Sequence, residues 1–153
     1  MIYGTQVSQR PSDPRDAQRA SERGRSESIG ATVLVVDDND FVRDLVEAAL
    51  APQGYTVLVA SRSADALATA AAHPGPLHPL ITDVTLGEIS GPDLAARLAA
   101  ARPGLHVLYI SGHPNAGPME PTPGAGHTAF LQKPFALSVL AAKVRELLAS
   151  EPL

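Results

Sequence analysis

From residue 31 onward the chain alternates between two kinds of apolar spacing. Short, nearly continuous apolar runs, "ATVLVV", "YTVLVAS", "LITD", "HVLYISG" and "AFLQ", predict five strands. Between them apolar residues return at helical spacing. Phe41, Val42, Leu45, Val46, Ala49 and Leu50 mark a first helix, and "SADALATAAAH" a second, capped by Ser63 and closed by Pro74 and Gly75. "SGPDLAARLAAARPG" is a third, with Gly104 after it. The terminal helix carries Leu137, Leu140, Ala141, Val144, Leu147 and Leu148 on one face. Strands that are apolar on both sides must be covered on both faces, which requires a parallel sheet with helices above and below, and right-handed crossovers make it doubly wound. The expected fold is a five-stranded α/β domain over residues 31–150.

Two stretches break the alternation. Residues 1–30 are rich in Ser, Arg, Asp, Gln and Pro without apolar period, and predict a disordered tail. Residues 112–127 hold Pro114, Pro118, Pro121 and Pro123, each opposing a helix by about 3 kcal/mol, so a helix expected between the last two strands is eroded to a mobile loop.

Charge narrows the partners. Of 12 Lys and Arg and 16 Asp and Glu, the tail holds five Arg against four acids, leaving the folded part at about −5 with two lysines. That balance offers no basic stripe for phosphate backbones and argues against direct nucleic-acid binding. The absence of an apolar run of about 20 residues or of a secretory leader predicts a cytoplasmic protein without a membrane partner. No cysteine is present, and five scattered histidines lack paired metal spacing such as His-Glu-x-x-His, so disulfides and a zinc site are excluded as expectations. Most of the histidines are expected on the surface.

Chemistry collects at the strand ends. Asp37 and Asp38 end the first strand, Asp83 the third, Ser111 the fourth and Lys133 the fifth, and ligands of such sheets bind outside the carboxyl ends where strand order reverses. Singly, each residue suits a cap, a turn or a solvated charge. Together, carboxylates about 4 Å apart repel by roughly 4 kcal/mol at an effective dielectric of about 20, and a cation would offset this. Mg2+ suits an all-oxygen set. One carboxylate could then attack a phosphoryl group, with Lys133 and the Ser111 hydroxyl serving its oxygens.

In order and spacing, "VLVVDD", "LITDV", "YISG" and "FLQKPF" resemble the signature of response-regulator receiver domains, most of all those of hybrid sensor kinases. The resemblance implies a flavodoxin-like sheet of order 2-1-3-4-5 and a phosphoacceptor at Asp83. It implies Mg2+ held by Asp37, Asp38, Asp83 and the Thr85 backbone carbonyl, with Asp38 a direct ligand. It further implies signalling roles for Ser111, Lys133 and the switch aromatic Phe130, and a cis peptide at Lys133-Pro134. The implied partners are a sensor histidine kinase or phosphotransfer protein and a downstream protein, with the chain a monomer or weak dimer. With only "EPL" after the last helix, a stand-alone, non-enzymatic response regulator is expected.

"TLGE" after Asp83, where the family often has Met-Pro-Gly, predicts a looser, more acidic loop. Two other functions compete. Asp38-Asn39-Asp40 resembles the Asp-x-Asp start of haloacid-dehalogenase phosphohydrolases, which would make Asp38 the nucleophile, and an unphosphorylated receiver-like binding module would need none of this chemistry.

Overall fold

A computed structural model describes residues 30–113 and 121–149. Apart from Gly30, the tail expected at residues 1–30 therefore lies outside the described residues, as does much of the proline-rich loop. The elements are β1 (Thr32–Val36), α1 (Asp40–Leu50), β2 (Thr56–Ala60), α2 (Ser63–Ala72), β3 (Leu80–Asp83), α3 (Gly91–Ala101), β4 (Val107–Ser111), β5 (Thr128–Gln132) and α4 (Leu137–Ala149). A 3-10 turn at Ala51–Gln53 follows α1 and ends at Gly54, whose φ of 95° is one that glycine adopts without strain.

All strand pairs are parallel and the order is β2-β1-β3-β4-β5, as expected. Alternate residues of each strand enter opposite cores. Val33, Val35, Ile81, Leu108 and Ile110 pack with Val42, Val46, Leu140 and Val144 of α1 and α4. Leu34, Val36, Leu80, Val107 and Tyr109 pack with Ala66 and Ala70 of α2 and Leu94 and Leu98 of α3. Burial on both faces is why the central strands read as unbroken apolar runs, whereas β2 and β5, at the two edges of the sheet, are only partly covered.

Three helix expectations need correction. Phe41, counted among the apolar positions at helical spacing in α1, is 69% exposed, and Leu137 on α4 is likewise exposed at 39%. Ser63 is not a cap: it is the first residue of α2, and Arg62 occupies the cap position without a side-chain bond. The other end of α2 is closed from a distance by Arg102, whose guanidinium donates to the carbonyls of Ala70, His73 and Gly75.

Between β4 and β5, residues 121–127 form turns and no helix. The looseness expected of this connection does not extend to them. Tyr109 and Thr122, both buried, share a hydroxyl hydrogen bond. The Gly104 amide donates to the Gly124 carbonyl and the Gly126 amide to the Leu105 carbonyl. At this same end of the sheet the His106 and His127 rings meet with centroids 5.4 Å apart, and the His127 amide donates to His106 Nδ1, a pairing that strand register creates.

His78 also departs from the surface role expected of the histidines. It is half-buried beside β1, its Nδ1 accepting from the Thr32 amide and its own amide donating to the Thr32 carbonyl. Burial holds its pKa below the ordinary 6.5. In the window just below 6.5 the unfolded chain therefore binds the proton and the folded one does not, so stability is full above pH 6.5 and falls as the solution is acidified. Thermal melting from pH 8 to pH 5 should show this loss, and His78→Gln, which keeps an acceptor without titrating, should flatten it. An unchanged slope in His78→Gln would remove His78 as its source.

Candidate functional site

Chain order reverses between β1 and β3, so their carboxyl ends open onto the crevice where such sheets place ligands. β1 delivers Asp37 and Asp38 there and β3 delivers Asp83. The sequence keeps both tips from running on into helix at once. Asn39 caps α1 by accepting the amides of Phe41 and Val42, and Ser90 caps α3 by accepting that of Asp93. Between Asp83 and Ser90 the loop is anchored by buried Leu86 and by the Gly91 amide on the Val84 carbonyl, so the looseness expected of "TLGE" is limited on both sides.

Carboxylate oxygens of Asp37, Asp38 and Asp83 lie within 4.8 Å of one another. Lys133 joins them from the end of β5, its Nζ 3.0 Å from Asp37 Oδ2 and 3.2 Å from Asp83 Oδ2. One lysine thus bridges two acids on separate strands. Asp37 is 2% exposed, and desolvation pushes its pKa up against the pull of the Asn39 amide and of Lys133. The bonds to Asp37 and Asp83 raise the Lys133 pKa against its own partial burial, so the ammonium stays charged. Three acids balanced by one lysine leave the cluster electron-rich, and its donors are all oxygen. That chemistry fits a hard divalent cation and no soft metal.

Of the remaining expected residues, Ser111 and Thr85 bond directly to members of this centre, and Phe130 lies in the core beneath. Ser111 is fully buried at the end of β4, its carbonyl accepting from the Lys133 amide and its Oγ from the His113 amide. The Thr85 amide donates to Asp83 Oδ1. Phe130 is half-buried on the same sheet face as its register partner Tyr109 and packs into the second core. The Lys133-Pro134 peptide is cis. Arg43, which periodicity presents as a polar position of α1, reaches back to the site and donates from Nη1 to the Asp37 carbonyl at 2.6 Å.

Residues 33–145 match the response regulator receiver domain family. The chain belongs to that family. This receiver domain is 33% identical over 131 residues to the sensor kinase CckA of Brucella abortus, covering 86% of this chain and 14% of that protein. It is 35% identical over 111 residues to the DNA-binding transcriptional regulator NtrC of Rhizobium meliloti, covering 72% of this chain and 22% of that protein. A crystal structure of the receiver domain from the hybrid histidine kinase CckA shares 30% identity with a TM-score of 0.65, covering 77% of this chain and 99% of that one. The expected likeness to hybrid-kinase receivers is thus borne out. The receiver spans less than a quarter of the two curated relatives, both of which are much longer proteins. No helix among the described residues is long and apolar enough to cross a membrane.

Proposed function

We propose that this receiver takes a phosphoryl group onto Asp83 from a histidine kinase or histidine phosphotransfer protein, in a Mg2+-dependent reaction in the cytoplasm. It then signals through protein contacts that depend on that modification, acting as a phosphoryl carrier and not as an enzyme with turnover. The observation that carries this is the bridging of Asp83 and Asp37 by one lysine, with Asp38 alongside. Asp37, Asp38, Asp83 and the Thr85 carbonyl would hold Mg2+, which supplies positive charge to the transferring phosphoryl oxygens.

Residues of this chain supply the rest. A carboxylate oxygen of Asp83 attacks phosphorus, the bond from phosphorus to the donor imidazole nitrogen breaks, and that nitrogen keeps the electron pair. Lys133, which bonds both Asp37 and Asp83, would neutralise one phosphoryl oxygen, and the Ser111 hydroxyl would donate to another. Exposed Phe41 on α1 and exposed Leu137 and Val139 on α4, all in the opening turns of helices that follow β1 and β5, would offer apolar contacts to a protein partner.

Incubation with acetyl phosphate and Mg2+, borohydride trapping and peptide mass spectrometry should locate one label, on Asp83. Label on Asp38 would favour the phosphohydrolase reading. No label at all would favour the unphosphorylated binding module.

A further inference from the structure

Every polar atom of the Asp37 main chain and side chain is held. The amide donates to the Ala60 carbonyl at 3.2 Å, Oδ1 accepts from the Asn39 amide at 2.9 Å, and Oδ2 accepts from Lys133. The carbonyl, which belongs to the peptide linking Asp37 to Asp38, accepts from Arg43 Nη1 at 2.6 Å. The other arm of the same guanidinium pairs with Asp40, one turn back on α1, and the Arg43 side chain is only 17% exposed. Its planar fork is therefore fixed at both tips, an arrangement that a single ammonium could not reproduce.

The rotation of a peptide plane sets where the next Cα goes, so whatever holds the Asp37 carbonyl also aims Asp38. Asp38 is exposed, and its carboxylate must converge with two others that are anchored by amides and by Lys133. We infer that Arg43 is a positioning residue for the cation site, orienting Asp38 through the Asp37 carbonyl while touching neither the cation nor the phosphoryl group. This rests on the Mg2+ site proposed above and assigns it a support outside the acidic cluster and its lysine.

The sign of the effect separates this role from simpler ones. A cation that merely sat nearby would repel Mg2+, so its removal would tighten binding. A merely structural side chain would lower the melting temperature and leave metal affinity alone. Positioning requires weaker binding, and outer partners of metal ligands characteristically contribute about 10–100-fold in affinity.

Calorimetric titration with Mg2+ of the full chain should therefore give a dissociation constant at least about tenfold higher for Arg43→Met than for wild type. Arg43→Lys, which keeps one donor for the carbonyl, should recover part of that loss. Where the Met variant does not fold, Arg43→Gln, too short to reach the carbonyl, gives the same reading. Affinity equal to or tighter than wild type in the folded variant overturns the inference, provided that wild type binds Mg2+ and Asp38→Ala does not. Absence of Mg2+ binding by wild type overturns both the inference and the metal-dependent reading beneath it.

Discussion

In EDTA, Asp83→Asn should melt higher than the wild type while accepting no phosphoryl group. Two carboxylates 4.8 Å apart repel by roughly 3 kcal/mol at an effective dielectric of about 20, and one lysine offsets only part of the repulsion among three. The substituted amide keeps an oxygen for Lys133 and removes a charge beside Asp37, whose carboxyl burial already pushes toward protonation. A gain of about 1–2 kcal/mol, or roughly 3–10 °C, is expected by differential scanning calorimetry. Saturating Mg2+ should raise the wild-type melting temperature and do so much less for the variant, because a ligand stabilises only the state that binds it. A lower melting temperature for Asp83→Asn in EDTA would mean that the ion pair with Lys133 outweighs the repulsion. A higher melting temperature for the variant would mean that the site is kept at a cost to stability, as functional clusters often are.

Gly91→Ala should act in the opposite direction and more severely. A Cβ at Gly91 would stand 2.1 Å from the Asp83 carbonyl oxygen and 3.0 Å from Val84 Cα, both backbone atoms that no side-chain rotation can move aside. The Gly91 amide is bonded to the Val84 carbonyl at 2.8 Å, so the helix cannot retreat without losing that bond. Overpacking of this kind costs about 3 kcal/mol, and the melting temperature should fall by about 10 °C. Because the strain bears on the backbone of Asp83 itself, labelling by acetyl phosphate should slow in whatever fraction remains folded. Gly87→Ala is the control: nothing lies within 4 Å of its added Cβ, and its stability should stay within about 0.5 kcal/mol of wild type. Equal stability of the two variants would refute the close approach at Gly91.

The difference between these glycines was not legible in the sequence, where they stand four positions apart in one short stretch after Asp83. What could be read was whatever follows from burial and strand ends. Val33 to Val36 had to be a covered strand, and Asp37, Asp83, Ser111 and Lys133, coming at the carboxyl tips of parallel strands, had to share one edge. Contacts that depend on facing surfaces left no such trace. Periodicity counted Phe41 with the apolar positions of α1 without revealing that its side chain stays exposed among the described residues. His106 and His127 are separated by a long connection and meet only because β4 and β5 pair in register. Arg43 gave no signal because its chief partner is a backbone carbonyl, which every residue has.

Strand β4 ends at Ser111, whose carbonyl bonds the Lys133 amide, and two residues earlier on the same face holds Thr122 through Tyr109. Among the described residues, the connection that follows β4 is thus tethered to the strand that would meet the phosphoryl group under the proposed function. Tension on such a tether runs both ways. A partner that grips the connection more tightly after phosphorylation must, by thermodynamic reciprocity, favour the phosphorylated state by the same factor. The listener would then help to hold the message, and the lifetime of the signal would belong to the complex as much as to the receiver.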